Sequence, residues 1–417
     1  MRAVVVALGK IGLPIAAQLA RAGHDVTGCD VDPRVVELVN AGRAPFPGEA
    51  GLEEALGEAV AAGRLRATAD TAAALADGPD LAILVPPLVV DEHARPDWAI
   101  LDAVLADVGR GLTAGTTVAL ETTVPVGTTR SRVAPALEGA SGLTAEEDFT
   151  VVFSPERVYS GRVFQALATY PKLVGGLSAE GEGRGIELYA AFLDAEVRGL
   201  GSAEAAELTK LAETTYRDVN IAFANELARY ADRLGLDVGG VIDAANSQPF
   251  SHIHRPGVAV GGHCIPVYPR FLLEGAPEAS LPRAARAVND AMPAYAVDLL
   301  GEVQGRTVLI LGVAYRGGVK ETAFSGAFGV RDELVRRGAT VVATDPLYDL
   351  AELEQLGFEL WDGRPVDGAV LQADHPEFRD IDPADLPGVR VVVDGRDVLD
   401  PGAFAAAGVT LRRIGRP

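Results

Sequence analysis

A run of small and β-branched residues, Arg2-Ala-Val-Val-Val-Ala-Leu8, ends in a glycine turn, and a helical pattern follows at once and stops at Gly23. A strand this apolar is buried on both faces, which demands parallel neighbours and helices packed on either side of the sheet. "HDVTGCD" supplies a second strand that stops on Asp30, and "DLAILVP", "TTVALETTVP" and "FTVVFSPE" supply three more with helical stretches between them. Alternation of this kind gives an open, doubly wound parallel sheet. The same N-terminus has the outline of a secretory signal, one Arg before an apolar run. Glycines interrupt that run at turn positions, so it reads as buried strand and helix.

After about residue 200 the pattern changes. Residues 202–235 form one helical stretch without Gly or Pro until its last residue, far longer than an average globular helix. Apolar positions 208, 211, 212, 219 and 222 recur at helical spacing and predict one buried side. From residue 306 the sheet pattern restarts with "RTVLILGVAYRGG", a helix over 326–337, "GATVVATDPLYD", "GAVLQADH" and "VRVVVDG". The expected class is α/β: two doubly wound, Rossmann-like domains joined by a long central helix and a helical dimerisation domain. The expected boundaries are 1–199, 200–300 and 301–417.

Bulk properties narrow the partners. A chain of 417 residues exceeds one ordinary core, and 48% hydrophobic with 23% charged residues is the balance of an ordered globular protein. Net charge −21 excludes a nucleic-acid partner, because phosphate neutralisation needs a basic face. No segment reaches the roughly 20 apolar residues of a membrane span. Two cysteines far apart make no disulfide framework and predict a reducing, cytoplasmic setting. Lysine is scarce: Lys10, Lys172, Lys210 and Lys320 stand alone among arginines, and each is a compact, tunable charge.

The first turn, Ala7-Leu8-Gly9-Lys10-Ile11-Gly12, matches the dinucleotide fingerprint with its first glycine replaced by Ala7. Gly9 lets backbone approach a pyrophosphate, Gly12 lets helix pack on strand, and the helix N-terminus supplies amides. Asp30 stands at the expected strand end to accept from a ribose 2′-OH, which predicts NAD as cofactor. Three roles are open to Cys264 in "GVAVGGHCIPVYPRFLL": nucleophile, metal ligand or filler. A nearby cation such as Lys210 would activate it and stabilise an oxyanion. His252, His254 and His263 with Cys264 are zinc-ligand types, but their spacing matches no standard zinc pattern, so no metal is expected. Cys29, in a strand, reads as packing.

"GGHCIP", together with "AELTKLAETTYRDVNIAFANELA", "SPERV" and "ETTVPVGTT", resembles the UDP-glucose/GDP-mannose dehydrogenase family, and most nearly its UDP-N-acetylmannosamine dehydrogenases. The resemblance implies an NAD-dependent oxidation of a sugar CH2OH to a carboxylate by two hydride transfers, with Cys264 forming a thiohemiacetal and then a thioester. It implies Lys210 for the oxyanion, Glu156 to position water or assist proton transfer, and Thr123 in the same pocket. The cofactor set becomes Gly9, Lys10, Ile11, Gly12, Asp30, Arg34, Val85, Pro86, Thr122, Thr123 and Glu156. The substrate set becomes Lys210, His252, Gly261, Gly262, Tyr315 and Arg316. The N-terminal domain would bind NAD, the C-terminal domain the nucleotide of the sugar, and the central helix would make a homodimer.

Four positions depart from the family pattern. Thr214 stands for an asparagine and Tyr268 for an aspartate, both among the expected catalytic residues, and Ala323 and Ala7 replace an arginine and a glycine. The leading reading is a four-electron nucleotide-sugar 6-dehydrogenase. Thr214 and Tyr268 support a second, a two-electron dehydrogenase that stops at a carbonyl. A third is a nucleotide-sugar-binding protein without catalysis, opposed by the retained Lys210, Glu156, Thr123 and Cys264.

Overall fold

The computed structural model describes residues 1–91, 95–158 and 161–416. The chain forms two compact units, Met1–Glu213 with Arg270–Gly275, and Thr214–Pro269 with Ala276–Pro417. Among the described residues, the first unit carries an eight-stranded sheet. Its strands are β1 (Arg2–Val6), β2 (Asp25–Cys29), β3 (Leu65–Thr68), β4 (Leu81–Leu84), β5 (Thr117–Leu120), β6 (Thr150–Phe153), β7 (Lys172–Gly176) and β8 (Val197–Gly199). They lie in the order β8-β7-β6-β5-β4-β1-β2-β3. All neighbours are parallel except β6 and β7, where Val152 pairs with Gly176.

The strand order reverses between β1 and β4, the place where open α/β sheets leave a crevice outside the strand ends. Register fixes what opens there. Val6 pairs with Cys29 on one side and Leu84 on the other, Leu84 with Leu120, and Leu120 with Phe153. The segments that follow those residues therefore leave the sheet side by side. Helix α1 (Gly12–Arg21) buries every residue but Gln18 and Arg21, and its alanines let it lie close on the sheet. Later in this unit come α2 (Ala179–Ala190) and the start of the long helix α3 (Ala203–Leu234).

In the second unit follow α4 (Tyr268–Gly275), whose last residues belong to the first unit, and α5 (Gly326–Arg336). Its sheet has six strands: β9 (Thr307–Leu311), β10 (Thr340–Thr344), β11 (Glu359–Leu360), β12 (Gly368–Leu371), β13 (Val391–Asp394) and β14 (Thr410–Arg413). Their order, β11-β10-β9-β12-β13-β14, repeats the winding of the first sheet, and every pair is parallel. The α/β class and the doubly wound architecture are those expected from the sequence.

Helix α3 corrects one expectation. Leu211 and Ala222 are buried, but Leu208 and Ala212 are exposed, so positions 208–222 do not form one buried side. The buried stripe in the second unit carries Thr214, Asp218, Ala222, Asn225, Ala228 and Ala231, while Tyr216, Phe223, Tyr230 and Leu234 face outward. Hydrophobic spacing alone misassigned the stripe because polar residues there bond to one another: Asp218 Oδ1 accepts from Arg286 and Asn289 at 2.6 and 2.7 Å, and Asn225 donates to Asn289 at 2.9 Å. Among the described residues, no helix is long and apolar enough to cross a membrane.

Candidate active site

The turn after β1 takes its shape from two residues. Ala7 adopts φ 74°, the left-handed conformation that glycine accepts freely and an L-residue only at a cost. A Cβ on Gly12 would lie 2.1 Å from the Ala7 carbonyl oxygen, so this position admits no side chain without displacing backbone. At Gly9, by contrast, nothing lies within 4 Å of where a Cβ would be, leaving room for a ligand to approach the main chain. Asp30 fastens the turn: one carboxylate oxygen accepts from the Leu8 amide at 2.8 Å and the other from the Asp32 amide at 2.9 Å. Lys10 is exposed and Ile11 is half-buried at the N-terminal end of α1. Arg34 is 85% exposed and pairs with Asp32 at 3.0 Å, so its guanidinium is committed to a neighbour on its own helix cap.

The neighbouring strand ends complete the row. The Val85 amide donates to the Val6 carbonyl at 3.0 Å. The Pro86 carbonyl accepts from the Thr122 hydroxyl at 2.5 Å, and Thr122 and Thr123 are buried. An open glycine, a free helix N-terminus and an acidic strand end at a topological switch point fit a dinucleotide.

Glu156, expected to position water or assist proton transfer, lies just beyond β6 in a buried ion cluster. Its Oε2 accepts from Lys172 Nζ at 2.9 Å, and its Oε1 accepts from the Arg157 and Val158 amides. Lys172 Nζ also lies 3.0 Å from Glu121 Oε2, in ion-pair contact but off the hydrogen-bonding direction. The Tyr189 hydroxyl on α2 donates to the other Glu121 oxygen, and the Tyr189 ring lies 5.0 Å from the ammonium. Side-chain exposure is 0% for Glu121, 5% for Lys172 and 10% for Glu156. Burial pushes the Glu121 carboxyl up to about 7, against the pull of Lys172. Burial also opposes ionisation of Glu156 and Lys172, but Lys172 holds the Glu156 carboxyl below its ordinary value, and Glu121 and Glu156 together hold the ammonium above its own. The backbone carbonyl of Glu156 faces Lys210, whose Nζ donates to it. One residue thus anchors two lysines, its side chain to Lys172 and its main chain to Lys210.

In the second unit, Cys264 is exposed on the turn that enters α4, while Cys29 in the first unit is buried, as packing requires. The Cys264 carbonyl accepts from the Val267 and Tyr268 amides at 3.3 and 2.9 Å, which places half-buried Tyr268 at the first position of the helix. The preceding glycines have a steric reason. A Cβ at Gly261 would lie 2.6 Å from Tyr315 Cβ, and Gly262 adopts φ 90° beneath the Tyr315 ring. The Gly262 amide donates to the Ala323 carbonyl at 2.8 Å, so the position that lost an arginine still holds the turn through its backbone. Arg316 Nε donates to the Tyr315 hydroxyl at 3.0 Å.

Two asparagines on α3 brace the same segment. Asn220 donates to the His252 carbonyl and accepts from the His254 amide, and Asn225 accepts from the Gly257 amide at 3.0 Å. The His252 side chain is exposed, and Thr214 is buried on α3. Among the described residues, no group of three or more His, Cys, Asp or Glu is arranged to hold a metal ion.

Sequence reasoning missed Glu121, Lys172's partners and Tyr189 in the first unit, and in the second Asn220, Asn225 and Arg396. The half-buried Arg396 donates to the carbonyls of Gln372 and Tyr315. These contacts join strand ends far apart in sequence, and no local motif announces them.

Comparison with known proteins gives three matches in order along the chain. Residues 1–193 match the UDP-glucose/GDP-mannose dehydrogenase family NAD binding domain, 204–291 its central domain and 309–401 its UDP binding domain. A UDP-N-acetyl-D-mannosamine dehydrogenase of Pyrococcus horikoshii is 34% identical over 428 residues, covering 100% of this chain and 99% of its own. An NDP-N-acetyl-D-galactosaminuronic acid dehydrogenase of Ralstonia solanacearum is 34% identical over 96% of this chain and 97% of its own. Among solved structures, the UDP-D-ManNAc dehydrogenase of P. horikoshii superposes with TM-score 0.90 at 33% identity, covering 100% and 99% of the two chains. A UDP-glucose dehydrogenase of Pyrobaculum islandicum gives TM-score 0.88 at 29% identity, covering 100% and 98%.

Proposed function

The chain belongs to the UDP-glucose/GDP-mannose dehydrogenase family of NAD-dependent oxidoreductases, and on that premise we propose that it oxidises the C6 alcohol of a UDP-N-acetylhexosamine to a carboxylate. NAD+, when bound, accepts a hydride in each of the two oxidations. Gly9, Lys10, Ile11 and Gly12 line its pyrophosphate, Asp30 its ribose, and Val85, Pro86, Thr122 and Thr123 the rest of the dinucleotide. Arg34, exposed and paired with Asp32, is the remaining residue assigned to the dinucleotide.

Lys210, its amine fixed on the Glu156 carbonyl, stabilises the negative charge that develops on the C6 oxygen. The Cys264 thiolate adds to the C6 aldehyde, and the resulting thiohemiacetal loses the second hydride to become a thioester. Water attacks the thioester carbonyl, and the C–S bond breaks to release carboxylate and regenerate the thiol. Thr123 and Thr214 offer hydroxyls to the reacting end. Tyr268 orders the helix start behind the nucleophile. His252, Gly261, Gly262, Tyr315 and Arg316 form the substrate side in the second unit.

The observation that carries this reading is Cys264 itself: an exposed thiol on a turn where Tyr315 leaves no room for a side chain at Gly261 and Gly262 takes a positive φ, in a chain whose other cysteine is sealed. The test is turnover of a panel of UDP- and GDP-sugars with NAD+, with the product identified by mass spectrometry. A UDP-N-acetylhexosaminuronate supports the proposal, and a product that remains at the carbonyl contradicts it. Thr214 and Tyr268 favour that second, two-electron outcome, since Tyr268 supplies a phenol in place of an aspartate carboxylate and Thr214 a shorter hydroxyl in place of an asparagine amide.

The same reading includes a homodimer, supported by Tyr216, Phe223, Tyr230 and Leu234 outward on α3 at roughly heptad spacing. It also includes a cytoplasmic setting, supported by two unpaired thiols. The division at 1–199, 200–300 and 301–417 is part of it, supported by the three family segments.

A further inference from the structure

We propose that Lys172 is a positioning residue for Lys210, acting through the two ends of Glu156. The kinetic side of this inference rests on the role given to Lys210 above; its structural side does not. Lys172 sits on β7 and Glu121 at the end of β5, both on the rigid sheet. Tyr189 locks Glu121, Glu121 and Glu156 share the ammonium, and Glu156 also takes the Arg157 and Val158 amides. Every oxygen of the Glu156 carboxylate is thereby committed inward, and the peptide that follows is fixed in orientation. Its carbonyl then presents a fixed acceptor to Lys210.

Removing two carboxylates and an ammonium from water costs several kcal/mol per ion, and an apolar core of equal volume often serves stability as well. The array therefore does more than fill space. Without the ammonium, the Glu156 carboxylate loses its countercharge in a dry site beside Glu121, and its Oε2 loses the partner that fixes that side of the group. Lys172 does not touch the reacting atoms in this scheme, and its effect reaches them through one carbonyl.

The scarcity of lysine makes the test direct. Full-length protein labelled with [13Cε]lysine shows signals from Lys10, Lys172, Lys210 and Lys320 only. In folded Lys172→Met the Lys210 signal shifts and broadens, and in Lys172→Arg it returns towards its wild-type position. With NAD+ and UDP-N-acetylmannosamine, Lys172→Met lowers kcat by about tenfold while KM changes by less than about threefold, and Lys172→Arg recovers most of the rate. An unmoved Lys210 signal, or an unchanged kcat, in folded Lys172→Met overturns the proposal. Should Lys172→Met not fold, Glu156→Gln breaks the same link while keeping the side chain's shape, and an unmoved Lys210 signal there overturns it equally. A wild type that oxidises no nucleotide sugar would sink the proposed function, yet the lysine signals would still decide this point.

Discussion

Lys172 Nζ donates to Glu156 Oε2 across 2.9 Å in a site where both side chains are at least nine-tenths sealed from solvent. The third member, Glu121, is fully buried, and burial holds its carboxyl at about 7 against an ordinary 4.5. The folded protein therefore keeps a proton on Glu121 where the unfolded chain has released it. The contribution of Glu121 to stability falls as pH rises from about 4.5 to about 7 and levels off above that window. Glu156 contributes only below its ordinary carboxylate range, and Lys172 and Tyr189 titrate above the window. Glu121→Gln removes this dependence. Urea unfolding at about pH 5 and about pH 8 should show the variant gaining on the order of 1–3 kcal/mol relative to wild type at the higher pH.

Ala7 and Gly12 make a second, paired prediction. Ala7→Gly relieves the left-handed backbone and raises stability by about 0.5–1 kcal/mol, with NAD affinity retained. Gly12→Ala forces a methyl to within 2.1 Å of the Ala7 carbonyl and lowers both the melting temperature and NAD affinity. Thermal unfolding and titration calorimetry with NAD+ check the pair. Loss of NAD affinity in Ala7→Gly would contradict the assignment of the turn.

Thiol chemistry should separate the cysteines cleanly. Cys29 is buried, and burial pushes its thiol up to about 12, so it resists alkylation in the native state. Cys264 is exposed and should take up one equivalent of iodoacetamide, with loss of turnover. Peptide mapping that finds Cys29 modified first would contradict the fold around β2.

The outward aromatics of α3 should hold two subunits together. Phe223→Asp combined with Tyr230→Asp is expected to convert a dimer to a monomer in sedimentation experiments while leaving the far-ultraviolet circular dichroism unchanged. A wild-type monomer would dismiss the assembly.

What the sequence revealed depended on how local each signal was. Strands such as Arg2–Val6, Leu81–Leu84 and Thr117–Leu120 are buried on both faces and read as apolar runs. The edge strands Val197–Gly199, Glu359–Leu360 and Thr410–Arg413 are short, partly exposed and polar, and left no such trace. The cofactor turn was legible because Gly9, Gly12 and Asp30 keep a fixed spacing; that Ala7 would accept a positive φ was not. Glu121, Lys172 and Tyr189 come from three separate elements and meet only through the sheet register. Lys172 left one clue, its being one of four lysines in a chain that otherwise uses arginine. The burial of α3 misled because Asp218 and Asn225 occupy the inward stripe and aromatics the outward one.

The proposed second oxidation through Cys264 is measured by the amount of NADH formed per nucleotide sugar consumed. Wild-type protein should form two NADH per UDP-sugar and release the uronate, and Cys264→Ser should stop near the aldehyde. One NADH per sugar, with Cys264→Ser turning over as the wild type does, would rule out the thioester step.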